Sequence, residues 1–255
     1  FVLLADADMR SVAREVDGTT VVSWHEPGRE EAGEAVAAWG ARSLAMFNEL
    51  LGPYPYRQLH VVQAEIFGAA GVEFPQVILM DSSYYDGPVI TAAPSSFEFT
   101  VAHEVVHQWF YNLVGNNQYD HAFIDEGLTN FLSSEIYFGR AYDAEAAARV
   151  RRAYLEGPYE AAVRDGDDQI VDTPTDAFPS AGDYVTAIYS KAPLGFAAIH
   201  AAIGDEAFFA GLRAYVAAFS FRVATPEDLR AALEAASGQD LDAIWTRWFE
   251  RAEGR

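Results

Sequence analysis

The chain has 255 residues, 51% apolar and 14% aromatic against 22% charged, a composition that builds a large buried core and excludes both a disordered polymer and a small stapled scaffold. Its 17 Lys and Arg against 38 Asp and Glu give a net charge of −21, which opposes an electrostatic grip on nucleic acid or on an anionic membrane surface. With no cysteine, there is no disulfide framework and no thiolate nucleophile, and any metal must be held by imidazole and carboxylate.

The chain opens on Phe1 instead of Met, in the strand-like run Phe1-Val2-Leu3-Leu4-Ala5, and is expected to be part of a longer parent chain. Short, turn-bounded runs of β-branched and aromatic residues follow at Thr19 to Trp24, Gln58 to Val62 and Gln76 to Met80, and read as strands. Between them Glu30 to Leu51 places Val36, Trp39, Leu44, Phe47 and Leu51 near helical spacing and ends at Gly52-Pro53, predicting a helix packed on a sheet.

After Pro94 the period is close to 3.6, with helices predicted over 96–114, 123–138, 144–163, 184–203, 206–219, 226–236 and 241–251. Thr225-Pro226-Glu227-Asp228 is a strong helix start, with a cap residue, Pro at the first position and acids in the first turn. The acidic run Arg164 to Asp168 lacks the spaced ligands and closing Glu of a calcium loop and reads as a solvated turn. Strands first and helices after give an α+β class, with a sheet-rich lobe over 1–93 and a helical lobe over 94–255. No apolar segment reaches the ~20 residues of a membrane-crossing helix, and no signal-peptide pattern occurs, so no membrane contact is expected from this segment.

Chemistry concentrates in His103-Glu104-Val105-Val106-His107, an HExxH sequence. On a helix, residues four apart share a face, so both imidazoles can converge on one cation while Glu104 reaches a water on it. A catalytic zinc usually has three protein ligands, and without cysteine the third is a carboxylate. Glu126 fits, lying past the loop Gly115-Asn116-Asn117 near the start of the next helix. His25, His60, His121 and His200 have no partner at ligand spacing, and no GxSxG elbow supports serine hydrolysis.

From His103 to Asn130 the chain resembles the zinc segment of the aminopeptidase N family of gluzincins, which includes the leukotriene hydrolases. Asp125-Glu126-Gly127 stands where that family has an NEG-like tripeptide, and Phe110-Tyr111-Asn112 where it usually has Phe-Gly-Asn. Upstream, Ala70-Gly71-Val72-Glu73-Phe74-Pro75 resembles the GAMEN strand, an edge strand whose Glu binds the substrate's free α-amine. Downstream, Tyr189-Ser190-Lys191 resembles the Tyr-x-Lys segment whose hydroxyl stabilises the oxyanion, with Tyr184 a rival for that role; Lys191 is the only lysine in the chain. Matches continue at 224–229 and 236–241.

The resemblance implies a thermolysin-like catalytic domain over 1–255, without the β-rich domain that usually precedes it or the later helical domains. It implies one Zn²⁺ per chain held by His103, His107 and Glu126, Glu104 and Tyr189 as catalytic groups, Gly71 and Glu73 as substrate-binding residues, and a peptide with a free N-terminus as substrate. Because Val72 and Phe74 depart from the amine-recognition strand, an endopeptidase or epoxide hydrolase on the same scaffold stays open. A non-catalytic binding or scaffold module is the more distant alternative.

Overall fold

A charged, largely exposed strand opens the sheet: β1 (Arg10–Val16) turns through Asp17-Gly18, both at positive φ, into the inward-alternating β2 (Thr19–His25). That two-residue turn suits the twist of an antiparallel hairpin. The computed structural model describes residues 3–87 and 95–253. Of the expected strand over 1–5, Phe1 and Val2 lie outside the described residues, and Leu3 to Ala5 carry no strand. β1 is the strand that no apolar run announces, because its side chains face solvent along most of its length. The expected lobe boundary at 93/94 falls among residues 88–94, also outside the described ones.

The chain divides into two compact units at Asn112/Leu113. In the first, α1 (Glu30–Leu51) carries the chain across to β3 (Gln58–Ala64), which pairs parallel with β2; β4 (Gly71–Phe74) and β5 (Val77–Asp81) follow. The strand order is β1-β2-β3-β5-β4, with β3 and β5 parallel and β4 antiparallel to β5 at the edge. A long connection through a helix is what parallel neighbours require. Thr19, Val21, Ser23 and His25 of β2 alternate inward. At Gly33 and Gly40 an added Cβ would meet His25 and Val21, so α1 approaches this face closely. Val36, Leu44, Phe47, Leu59, Val61, Ile78 and Met80 fill the core.

α2 (Ser96–Val106) belongs to this unit; the Ser95 hydroxyl caps it by accepting from Glu98 N. It is buried on nearly all sides, and its Glu98 is paired with Arg42 of α1 at 2.5 Å. The helix was expected to reach Val114 but ends near His107, where i→i+3 bonds from Gln108 and Trp109 tighten the last turn. Tyr111 then takes φ +82, a left-handed conformation that ends a helix and favours glycine.

The second unit is helical apart from a short parallel pair, β6 (Val114–Gly115) with β7 (Arg222–Val223). Its helices are α3 (Glu126–Phe131), α4 (Phe138–Ala141), α5 (Ala144–Val150), α6 (Gly157–Asp165), α7 (Ala181–Thr186), α8 (Ala192–Ile203), α9 (Asp205–Phe219), α10 (Pro226–Ser237) and α11 (Asp242–Phe249). Three helices expected to be continuous carry π-helical turns at Leu132–Tyr137, Arg151–Glu156 and Ala187–Lys191. The predicted start at Thr225 is a full capping box. Phe123, Phe196, Trp245 and Phe249 form the aromatic core between α8 and α11. A sheet-bearing unit followed by a helical one makes the α+β class correct. No described helix is long and apolar enough to cross a membrane.

Candidate active site

His103 of α2 and His107 at its C-terminal cap point their rings to one place: His103 Nε2 and His107 Nε2 are 3.0 Å apart, and both residues are buried. His107 Nδ1 faces the Phe110 carbonyl at 3.3 Å, a contact that keeps the ring proton on Nδ1 and leaves the Nε2 lone pair available. Two nitrogens held 2.0–2.1 Å from a tetrahedral ion stand about 3.3 Å apart. The imidazole pair therefore has the spacing and donor type that zinc needs.

Glu104 is buried beside them and packs against β4. A Cβ added at Gly71 would lie 2.4 Å from Glu104 Oε1, so glycine is what lets this strand approach the carboxylate. Glu73 lies two residues along the same strand and is half-buried. The next contact between strand and helix comes from Gln108, a residue that the motif reading passed over. Its only signal in the sequence is a single amide within the apolar run Val105 to Phe110.

In the second unit, Glu126 opens α3 directly after Asp125, whose buried carboxylate accepts from Asn116 Nδ2 at 2.9 Å and Gln118 Nε2 at 2.8 Å. These bonds hold the loop that leads into the helix. Gly127 is the close-approach point, since a Cβ there would be 2.7 Å from Ala192 Cβ. That proximity brings the π-turn at Ala187–Lys191 against α3, and Tyr189 forms a side-chain hydrogen bond with Glu126. Burial above all, then the Glu126 charge, pushes the Tyr189 hydroxyl well above the ordinary phenol value. Asn130 Nδ2 donates to the Tyr189 carbonyl at 2.6 Å, and the Tyr184 ring stands edge-on to Tyr189 at 6.0 Å.

The solvated-turn expectation for Arg164 to Asp168 needs one correction. Asp168 is buried and ion-paired with Lys191 at 2.9 Å, while Arg164, Asp165 and Asp167 stay exposed. A lone ammonium far along the chain was the missing partner. His121, expected in a loop role, lies in the loop before α3 and contacts Asp172 Oδ1 through Nδ1 at 2.6 Å. A groove of about 550 Å³ lies elsewhere on the first unit, lined by Leu3, Leu4, Asp6, Trp24 and His60, and includes none of the predicted site residues.

Residues 38–248 match the Peptidase family M1 domain. The chain is 27% identical to Aminopeptidase M1 of Arabidopsis thaliana over 92% of its own length, and 26% identical to Aminopeptidase M1-A of Oryza sativa subsp. japonica over the same share. It is 25% identical to "Aminopeptidase 2, mitochondrial" of Saccharomyces cerevisiae over 88%. It spans 27% of the length of the two plant proteins and 24% of the yeast one. The resemblance that begins at the HExxH helix thus extends over most of the sequence, and the chain belongs to peptidase family M1.

Proposed function

We propose that this chain carries the catalytic centre of a zinc-dependent aminopeptidase, with one Zn²⁺ held by His103, His107 and Glu126. The observation that carries this reading is the pair of buried imidazole nitrogens 3.0 Å apart with Glu104 between them in sequence. Two imidazoles and one carboxylate make a donor set that leaves a coordination position open. When bound, the ion supplies Lewis-acid activation of water and of the scissile carbonyl.

The remaining work falls to side chains. Glu104 takes the proton from the attacking water and returns it to the leaving nitrogen. The Tyr189 hydroxyl donates a hydrogen bond to the carbonyl oxygen as it gains negative charge. Glu73 pairs with the ammonium of the substrate, and the edge strand from Gly71 aligns the peptide backbone. With its N-terminus pinned there, a peptide presents only its first bond to Glu104, which makes the reaction an exopeptidase one.

The test compares wild type with Glu104→Gln, loaded with zinc, on alanine p-nitroanilide and its N-acetylated form. Glu104→Gln should retain zinc by elemental analysis and lose at least about 100-fold in kcat. Wild type should prefer the free amine. Unchanged turnover by Glu104→Gln overturns the base assignment, and equal hydrolysis of the acetylated substrate favours the endopeptidase reading. Failure of wild type to take up zinc favours the scaffold module.

A further inference from the structure

We propose that Gln108 is a positioning residue that fixes the edge strand carrying Glu73 in register with the helix carrying His103, Glu104 and His107. The inference rests on the reading of Glu73 as the amine anchor.

Gln108 directly follows His107 and is buried. Its Oε1 accepts from the Gln76 backbone N–H at 3.0 Å and from the Tyr54 hydroxyl at 3.3 Å, while its Nε2 donates to the Phe74 carbonyl at 3.2 Å. Phe74 and Gln76 flank Pro75 in the turn between β4 and β5, where Phe74 pairs with Val77. A primary amide offers acceptor and donor from one flat head. Gln108 therefore meets this turn as a neighbouring strand would, through one N–H and one C=O.

The turn needs that support. Pro75 followed by Gln76 at φ +70 has the residue pattern of a type II turn with a non-glycine residue in the left-handed position. Two-residue hairpins favour the mirror-image types, whose twist matches that of the strands. At the other end of β4, Gly71 packs against Glu104. That contact is steric and does not by itself stop the strand sliding along the helix. The bonds from Gln108 are directional, and Glu73 lies between the two contacts. Removing the amide leaves β4 its ladder to β5 but takes away its stop against the turn that directly follows α2. The consequence falls on recognition of the substrate amine before it falls on the histidines.

The experiment uses the zinc-loaded full chain and two probes, L-alanine hydroxamate and its N-acetyl derivative, titrated by calorimetry. Their affinity ratio in wild type reads the amine contribution, and Glu73→Gln should collapse it. Gln108→Ala should lower the ratio by about tenfold, with the affinity of the acetylated probe changed by less than about twofold. Amide hydrogen exchange at Gln76, read without metal, should accelerate in the same variant. A merely structural role would weaken both probes alike. Should Gln108→Ala not fold, Gln108→Glu keeps the acceptor oxygen but loses the donor to Phe74, and should lower the ratio in the same direction. An unchanged ratio in the folded Gln108 variant, with Glu73→Gln having collapsed it, overturns the role of Gln108 alone. An unchanged ratio in Glu73→Gln overturns the amine anchor and this inference with it.

Discussion

Lys191 donates from Nζ to both carboxylate oxygens of Asp168 at 2.9 Å, and neither side chain is more than 2% exposed. The same ammonium reaches the carbonyls of Gln169 and Arg251, each at 2.7 Å, and Asp168 Oδ2 also accepts from Glu253 N at 2.6 Å. One ion pair thereby ties the loop after α6 and the end of the chain to the π-turn that carries Tyr189. Burial pulls the Lys191 pKa below its ordinary value, and Asp168 opposes that shift.

Lys191→Met strands a buried carboxylate and should cost about 3–5 kcal/mol of stability in urea unfolding. Lys191→Met combined with Asp168→Leu should recover much of the loss, because it removes both buried charges. A cost below about 1 kcal/mol for the single variant would mean that the pair contributes no more than an exposed one.

His25 sets an acid limit on the first unit. Its ring is buried against Gly33, and neither ring nitrogen has a hydrogen-bond partner among the described residues. Burial lowers its pKa from 6.5, with Glu30 and Glu34 acting weakly the other way. Below that ordinary value the unfolded chain binds a proton that folded His25 refuses. Stability is therefore lost as pH falls from 6.5 towards the folded value, and is unaffected above it. His25→Leu should flatten this part of the stability curve in chemical denaturation. Part of the slope should remain, because burial lowers His60 as well.

Gly71→Ala tests how closely the edge strand approaches Glu104, the proposed general base. The added methyl would sit 2.4 Å from Glu104 Oε1, and the carboxylate, as the movable party, should turn away. A displacement on that scale lowers kcat by about 100-fold when the group is catalytic. Zinc content by elemental analysis should not change, which separates this variant from one that damages the imidazoles.

Tyr111 takes φ +82, a left-handed conformation that favours glycine. Tyr111→Gly should raise stability by up to about 1 kcal/mol, the left-handed cost relieved less the extra freedom gained by the unfolded chain. A thermal melt reads the change directly. A fall in melting temperature would show that contacts of the partly exposed ring outweigh the backbone strain.

Features confined to a few consecutive residues were legible in the sequence. The period of a helix places His103 and His107 on one face whatever surrounds them, and α1 runs from Glu30 to Leu51 as its apolar spacing and Gly52-Pro53 require. The start of α10 follows from Thr225 to Asp228 in the same way. The exposed β1 escaped because its side chains carry no apolar alternation, although Asp17-Gly18 was a hairpin signal. The π-turns escaped because one extra residue per turn barely alters a hydrophobic period read over a long window.

Residue order alone determined the α+β class and the convergence of the His103 and His107 rings, with Glu104 beside them, since backbone geometry converts short spacings into directions. Only the tertiary structure decided that Asp168 faces Lys191, that Gln108 grips the turn beyond Phe74, and that Gly127 lets Tyr189 reach Glu126. Each of these joins groups far apart in the chain, and which distant donor meets which acceptor is settled by the packing of whole elements, where a buried polar group must find its partner or carry the cost of desolvation.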